Sequence, residues 1–263
     1  LLLVGQKYAR RPVLKLSLIF TRQFGSIVIM ALVVGMALYG TIYVIPQFLA
    51  LIADYNALQT GYVIALMGVP ALFLMPIVPF LITRIDIRLA VGGGLLLMAI
   101  SCLITTNLTS EAGGGAFTAG QILRGMGMIF TMLFLNQGAI AAVSKEDAGD
   151  ASGIFNAARN LGGSFALAAL ATIQDQRLWH HSRRMEESLA ANSISVQDYL
   201  AGLQASLGSV EAAFRTLAGT IQQQAFVMTY NDIFFVMTVV IFLSIPLVLF
   251  LRPLPKGMSL SMH

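Results

Sequence analysis

Charged residues are rare along this chain and divide it into long stretches of apolar side chains. Six stretches contain no charge or a single arginine, and they cover residues 23–53, 55–83, 89–110, 112–144, 151–174 and 233–251. A helix needs about 20 predominantly apolar residues to cross the hydrocarbon layer of a bilayer, so each stretch predicts one membrane-spanning helix. Strands are excluded because the stretches are too long for a membrane barrel and do not alternate between apolar and polar residues. The pattern predicts an all-α integral membrane protein.

The predicted spans set the organisation of the whole chain. The opening LLLVG has no initiator methionine and no basic n-region. We interpret it as the end of a preceding span, so that the sequence is a C-terminal fragment of a larger membrane protein. The predicted segments are the end of that span with a basic cytoplasmic loop (1–22), five transmembrane helices (about 24–50, 59–82, 88–108, 116–141 and 151–174), an extracytoplasmic segment with amphipathic helices (175–231), the last transmembrane helix (232–252) and a cytoplasmic tail (253–263).

The composition supports a membrane protein and narrows the classes of function. Hydrophobic residues make up 57% of the chain and charged residues 11%, whereas soluble domains carry about 25% charged residues. The net charge is +4, but the basic residues lie between the apolar stretches, as membrane topology requires, so nucleic acid is not an expected partner. The sequence contains no Walker A loop, HExxH motif or Cys/His cluster, and neither a metal site nor a cofactor is predicted.

The basic residues also predict the orientation of the chain. Ten lysines and arginines occupy one side of the predicted topology: Lys7, Arg10, Arg11, Lys15, Arg22, Arg84, Arg88, Lys145, Arg252 and Lys256. The short loops of the opposite side, near Asp54 and Glu111, contain none. Because short cytoplasmic loops are enriched in lysine and arginine, we expect the first side and the C-terminus to be cytoplasmic and residues 175–231 to lie outside.

Residues 175–231 are the one sizeable extramembrane part of the prediction. Ser195 followed by Asp198 matches a capping-box pattern, and apolar residues then recur at spacings of three and four. One coiled-coil helix would have this spacing, but Gly208 and Ser209 interrupt it with a helix stop and a new N-cap. We favour two short amphipathic helices that cover the membrane surface or each other over the docking of a partner protein.

Two predicted spans contain a charged residue, Arg124 in the fourth and Arg159 in the fifth. An arginine at the centre of a membrane helix costs about 2.5–3.5 kcal/mol and normally faces the bundle interior or a wet cavity. Arg159 lies nine residues after Asp150, a depth of about 13 Å along a helix, which is too deep for easy snorkelling. The alternative for both residues is a structural arginine that binds carbonyl groups of neighbouring helices. We favour a functional role for Arg159 and leave both roles open for Arg124.

Amide and aromatic side chains accompany the two arginines. Asn156 and Gln121 each lie three residues before an arginine and share its helix face, whereas Asn160 is turned about 100° away. Taken singly, such amides are interhelical contacts worth about 0.6 kcal/mol, but two spans that each carry an arginine and amides predict a shared polar cavity. Tyr43 lies too deep for an interfacial belt and is expected to line a path for a lipophilic solute. The candidate substrate-path or coupling residues are Arg159, Asn156, Asn160, Arg124, Gln121, Asn136 and Tyr43.

Several segments, taken in order, resemble one family of transporters. The resemblance lies in RRPVLKLSLIFTRQF (10–24), YVIPQFLA (43–50), TAGQILRGMGMIF (118–130), ASGIFNAARNLGGSFALAAL (151–170) and YNDIFFVMTVVIF (230–242). These segments resemble EmrB/QacA-type transporters, the fourteen-span drug–proton antiporters of the major facilitator superfamily. The resemblance covers essentially the whole chain, which is similar to the last six of the fourteen spans.

The resemblance implies the C-terminal six-helix bundle of a major-facilitator-type transporter, with substrate bound near the bilayer midplane between this half and the missing N-terminal half. It implies a multi-pass protein of the bacterial cytoplasmic (inner) membrane that exports small lipophilic or cationic compounds. Export would use proton antiport and alternating access, with the proton gradient as energy source and no cofactor. Some relatives work with a periplasmic adaptor protein, which is therefore a further expected partner. No carboxylate lies deep in a predicted span, so the proton-carrying carboxylate is expected in the N-terminal half.

The turn FLITRIDIRLA (80–90) loosely resembles the superfamily's cytoplasmic Gly/Asp/Arg motif. This resemblance makes Arg84, Asp86 and Arg88 candidates for a gating loop. A plain basic turn of a cytoplasmic loop explains the same residues equally well.

Other classes of function fit the sequence less well. A membrane-embedded enzyme needs a nucleophile, a metal or an acid pair at membrane depth, and no such set is visible. A scaffold without transport activity has little reason to retain arginines inside the membrane. The sequence therefore predicts a secondary-active exporter and not an enzyme. A major-facilitator transporter of a small metabolite and a non-transporting scaffold remain the alternatives.

Overall fold

Helices make up nearly all of the computed structural model, which describes residues 16–188 and 194–251. Within these ranges there is no β-strand, so the all-α class predicted from the sequence is confirmed. The α-helices are α1 (Arg22–Leu51), α2 (Ala57–Ala65), α3 (Val69–Leu74), α4 (Val78–Arg84), α5 (Ile87–Leu103), α6 (Gly115–Ala141), α7 (Ala148–Ser188), α8 (Ile194–Leu207) and α9 (Val210–Ser244). Short 3-10 helices cover Leu16–Phe20, Leu66–Gly68, Lys145–Asp147 and Ile245–Phe250.

Four helical stretches of the described chain are long and apolar enough to cross a membrane. They are Arg22–Leu51, Ala57–Leu74, Gly115–Ala141 and Val210–Phe250. The helix Ile87–Leu103 is apolar but shorter. Helix α7 has the length of a spanning helix but is not among the four. Arg159, Asn156 and Asn160 lower the hydropathy of α7. The same polar residues make this helix a candidate for function.

The second predicted span is not one continuous helix. It is divided into α2, a 3-10 turn at Leu66–Gly68, α3 and α4. Pro70 lies in the first turn of α3 and Pro79 in the first turn of α4, where a missing backbone N–H leaves no hydrogen bond unmade. Pro76 lies between these two helices. The prolines thus interrupt this span at the points where new helices begin.

The outer part of the chain is made of long helices that extend from the spans. Helix α7 continues without a break from Ala148 to Ser188, past the predicted end of the fifth span. Gly208 has a positive φ of 76° and separates α8 from α9, and the Ser209 hydroxyl accepts a hydrogen bond from the Ala212 backbone at 3.1 Å. Helix α9 then runs unbroken through residues 210–244. The side chain of Ser195, proposed as a cap, lies outside the described residues.

Two helix pairs dominate the packing, α1 with α7 and α5 with α6, and α9 lies against α7, α5 and α1. Glycine permits the closest approach of α1 and α7. A Cβ atom on Gly35 would meet the backbone carbonyl of Arg159, and one on Gly162 would meet the backbone carbonyl of Leu32. Small residues let membrane helices approach in this way. The backbone of the helix that carries Arg159 is therefore held directly against α1.

Candidate functional site

Arg159 lies on the side of α7 that contacts α1. Its side chain is half-buried, and its Nε atom is buried without a hydrogen-bond partner. None of the ion pairs found among the described residues involves Arg159. A buried donor without a partner is costly in a membrane, so this guanidinium retains the capacity to bind an additional acceptor.

The two asparagines beside Arg159 have partners of their own. Asn156 is half-buried and its Nδ2 donates to the Ser152 carbonyl of the same helix at 2.9 Å. Asn160 is exposed, and its Oδ1 accepts a hydrogen bond from the Tyr39 hydroxyl of α1 at 2.9 Å. Neither amide forms a hydrogen bond with Arg159 in the part of the chain that the structure describes. The cluster therefore joins α7 to α1 through Asn160, while Arg159 keeps an open position.

Arg124 lies in a different and closed environment. Its side chain is only 2% exposed. Nη1 donates to Gln121 Oε1 at 2.9 Å, and Nη2 lies 4.0 Å from Cys102 Sγ on α5. Gln121 in turn donates from Nε2 to the Val63 carbonyl of α2 at 3.3 Å. Its Nε is buried without a hydrogen-bond partner, as is that of Arg159, but both Nη atoms of Arg124 contact neighbouring side chains. Arg124 thus joins three helices, as a structural arginine does.

Glycines and small polar residues surround Arg124 and keep its helices close. A Cβ atom on Gly125 would meet the Met67 carbonyl, which lies in the 3-10 turn of the second span. A Cβ atom on Gly127 would meet the Gly94 carbonyl at 2.5 Å, and Ser101 Oγ donates to the Gly120 carbonyl at 2.7 Å. The RGMG segment therefore packs α6 tightly against both α5 and the interrupted second span.

The structure places the two arginines in separate clusters. Arg159 lies between α1 and α7, and Arg124 lies between α2, α5 and α6. No hydrogen bond within the described ranges links the clusters, so the shared polar cavity stays a prediction. The side chain of Asn136 on α6 is half-buried and forms no hydrogen bond with another described residue. Tyr43 is half-buried and packs against the core.

The residues proposed as a gating loop have local structural partners. Asp86 caps α5, because its Oδ1 accepts a hydrogen bond from the Arg88 backbone at 2.9 Å. Arg88 Nε donates to the Leu251 carbonyl at 2.7 Å, and the Arg84 guanidinium lies over the Phe80 ring, 5.2 Å from its centre. These contacts fix the start of α5, as a structural turn requires, and the gating role stays a prediction.

An outer polar cluster, which the sequence did not predict, joins α7 to α9. His181 Nε2 lies 2.8 Å from Asp232 Oδ2, and Arg177 Nε lies 3.6 Å from the same oxygen. His181 is buried. The local sequence contains no signal for the His181–Asp232 pair, because this pair depends on the antiparallel packing of two helices that are far apart in the chain. Within the described residues no group of His, Cys, Asp and Glu side chains has the arrangement of a metal site.

Comparison with known proteins assigns this architecture to a family. Residues 3–167 match the family model described as Major Facilitator Superfamily. The colistin resistance protein EmrB of Acinetobacter baumannii is 27% identical over 246 residues, which are 92% of this chain and 48% of that protein. The fatty acid resistance protein FarB of Neisseria gonorrhoeae is 25% identical over 95% of this chain and 49% of its own length.

The multidrug export protein EmrB of Escherichia coli K12 is 24% identical over 254 residues, 96% of this chain and 49% of that protein. The chain therefore spans about half the length of the curated relatives that it matches. These relatives are transporters and not enzymes, and the EmrB/QacA-type resemblance seen in the sequence is confirmed at modest identity. With a family match over more than half of its residues, the chain belongs to the Major Facilitator Superfamily.

Proposed function

We propose that this chain forms half of a secondary-active exporter of small lipophilic or cationic compounds in the bacterial cytoplasmic membrane. The observation that carries the proposal is the open position of Arg159, a charged residue within a predicted span whose side chain forms no hydrogen bond or ion pair with another described residue. A charge retained at membrane depth is most often part of a substrate or ion pathway. The similarity to a multidrug export protein over 96% of the chain supports export as the direction of transport.

The proposed mechanism is alternating access between two six-helix halves, driven by proton antiport. The present helices form the C-terminal half, and substrate binds between it and an N-terminal half. Arg159 and Asn156 face this central region, where Arg159 donates to a substrate acceptor or to the group that carries the proton. The described spans contain no carboxylate at that depth, which supports a proton carrier in the other half.

Arg124 has a different part in this proposal. It joins α2, α5 and α6 through Gln121 and the Cys102 thiol, and so it holds the interrupted second span in one position. A gate made from that span would depend on this arrangement without any contact between Arg124 and substrate. In the proposed topology the C-terminus is cytoplasmic, and α8 with the outer part of α9 faces the periplasm, where an adaptor protein would bind.

Efflux measurements on the full-length protein test the role of Arg159. We expect Arg159→Ala and Arg159→Lys to lower drug resistance of a sensitive host, because a lysine ammonium does not reproduce the fork of guanidinium donors. Arg22→Ala is the matched control, since Arg22 is exposed at the start of α1 and lies outside the proposed substrate path and adaptor surface. Protein levels in the membrane are compared by immunoblot. Normal resistance at normal expression for both Arg159 variants would return Arg159 to a structural role.

A further inference from the structure

Helices α1, α7 and α9 meet at a tight apolar contact. A Cβ atom on Gly40 of α1 would lie 3.0 Å from Leu170 Cδ1 of α7 and 3.0 Å from Met237 Cε of α9. Packing at this distance leaves no room for water between the three helices. The contact therefore closes the space between these three helices, and any site outward from it is closed on its inner side.

Three polar residues lie just outside this contact, one on each helix. Gln47 follows Gly40 by seven residues on α1, and Gln174 follows Leu170 by four on α7. Tyr230 precedes Met237 by seven residues on α9, which runs in the opposite direction. Steps of four and seven residues return to the same face of a helix. The helix register therefore places Gln47, Gln174 and Tyr230 together, one to two turns outward from the apolar contact.

Each of these residues has a buried oxygen without a hydrogen-bond partner. The atoms are Gln47 Oε1, Gln174 Oε1 and the Tyr230 hydroxyl, and the whole Tyr230 residue is 0% exposed. Buried polar atoms are almost always satisfied, and in a membrane an unsatisfied one is especially costly. Three unsatisfied oxygens on three helices, which the helix register places at one junction, indicate a site that binds something.

The chemistry of the site selects a small cation with a single charge. Two carboxamide oxygens and a phenol oxygen are hard, neutral ligands, of the kind that coordinate monovalent cations in channels and transporters. Divalent cations favour sites with carboxylates. Aromatic rings form the wall, because the Phe48 ring lies 5.5 Å from the Tyr230 ring and the Phe226 ring stacks on it at 6.3 Å. Ring faces also attract cations.

We propose that Gln47, Gln174 and Tyr230 form a binding site for one small monovalent cation, Na⁺ or hydronium, near the outer end of the bundle. Tyr43 lies on α1 one turn before Gln47 and on the same helix face, so its hydroxyl is a candidate for a fourth oxygen. The partly exposed carboxylate of Asp232, which contacts Arg177 and His181, lies two residues after Tyr230 on α9 and adds a negative charge near the site. Bound there, the ion links α9 to α1 and α7. The site is separate from Arg159, and its occupation does not depend on the proposed export.

Thermal stability of the purified full-length protein tests the Na⁺ form of the site. Choline, which is too large for the junction, is replaced by Na⁺ at constant ionic strength. We expect a saturable rise in the melting temperature of the wild type. In Gln47→Met and Tyr230→Phe the half-saturating Na⁺ concentration should rise by at least about tenfold, a loss typical of disturbed ion sites. Gln176→Met, the same change at an exposed residue of α7, is the matched control and should respond as the wild type does.

A second series in choline, from about pH 8 to about pH 5, tests the hydronium form. Other titratable groups face this region from every helix: Tyr43 on α1, Arg177 and His181 on α7, and Asp232 on α9. Gln47→Met leaves all four groups in place. The effect of the site is therefore the difference between this variant and the wild type in how the melting temperature changes with pH. Hydronium binding predicts that acid stabilises the wild type and Gln176→Met more than Gln47→Met.

The two series together decide the proposal. A Na⁺ response that disappears in Gln47→Met and Tyr230→Phe assigns the site to Na⁺. A stabilisation by acid that is present in the wild type and lost in these two variants assigns it to hydronium. If both variants follow the wild type in both series, the three oxygens bind no cation and the proposal is wrong. Tyr230→Phe removes only the hydroxyl oxygen, so the test does not depend on a variant that disturbs packing.

Discussion

Arg124 and Arg159 are each the single charge of a predicted span, yet their surroundings differ. Arg124 is enclosed by three helices, with Gln121 as its partner and 2% exposure. Arg159 is half-buried beside a glycine contact, and its Nε has no partner. A charge in a membrane helix therefore does not by itself indicate a functional site. The Nε of Arg124 is also buried without a partner. What distinguishes the two is that Nη1 and Nη2 of Arg124 contact Gln121 and Cys102, whereas no side-chain hydrogen bond or ion pair of Arg159 is found among the described residues.

The largest effect on stability is expected for Arg124→Ala. The change leaves the Gln121 carbonyl without its donor and opens a cavity between α2, α5 and α6, for which we expect a loss of about 3–5 kcal/mol in the free energy of unfolding. Arg124→Met fills the volume without a charge and should cost much less. Detergent-unfolding titrations of the full-length protein measure both variants. Arg124→Ala as stable as the wild type would contradict the enclosed role.

Gly162→Ala should have the next largest effect, because it separates the helices that hold Arg159. The new Cβ atom would meet the backbone carbonyl of Leu32, which cannot rotate away as a side chain does. We expect a loss of about 1–3 kcal/mol, typical of overpacking, together with reduced export. Gly149→Ala on the same helix is the control, because its Cβ atom would have open space around it. Equal stability of the two variants would argue against the close approach of α1 and α7.

Tyr39→Phe tests the hydrogen bond beside Arg159 with a smaller change. It removes the hydroxyl that donates to Asn160 Oδ1 at 2.9 Å and keeps the ring that packs against Gly163. Interhelical hydrogen bonds in membranes contribute about 0.6 kcal/mol on average, and we expect a loss of that size in the same titration. A double-mutant cycle with Asn160→Ala should show that the two changes are not additive; full additivity would mean that the bond is absent.

Arg159→Met should have the smallest effect on stability and tests most directly whether Arg159 differs from Arg124. Since the Nε of Arg159 has no partner to lose, we expect a change within about 0.5 kcal/mol, although export should fall as for Arg159→Ala. A variant that is stable but inactive separates function from structure at this position. If Arg159→Met and Arg124→Ala destabilised the protein equally, the two arginines would not differ in kind.

Much of the fold could be predicted from the distribution of charge along the sequence. Stretches with no charge or a single arginine correspond to α1, α5 and α6, and Gly208 with Ser209 separates α8 from α9. The division of the second span was less accessible, because hydropathy reports polarity and not the backbone breaks that Pro70 and the Leu66–Gly68 turn introduce. The extension of α7 to Ser188 was missed because hydropathy changes at residue 174 while helical hydrogen bonding continues.

The candidate site could be predicted only in part. Depth and spacing identified both arginines, but they could not show that Arg124 is enclosed and that Arg159 is open, since that depends on which helices pack together. Spacing grouped Asn156 with Arg159, whereas Asn156 bonds to its own helix at Ser152. The partner of Asn160 is Tyr39, more than a hundred residues away in the chain. Such pairs require a register between helices that local sequence does not contain.

Helix α5 is attached near both of its ends to the segment that contains α9 and the residues after it. At one end Arg88 Nε donates to the Leu251 carbonyl at 2.7 Å. At the other, the Asn231 side chain exchanges two hydrogen bonds of 2.9 Å with the backbone of Leu108, beyond the end of α5. A pair fixed at two distant points resists both twisting and sliding, so it travels as one stiff element. Any large rearrangement of this bundle must then be concentrated in the other helices, above all in the segment between residues 57 and 84, where the backbone is already broken into short pieces.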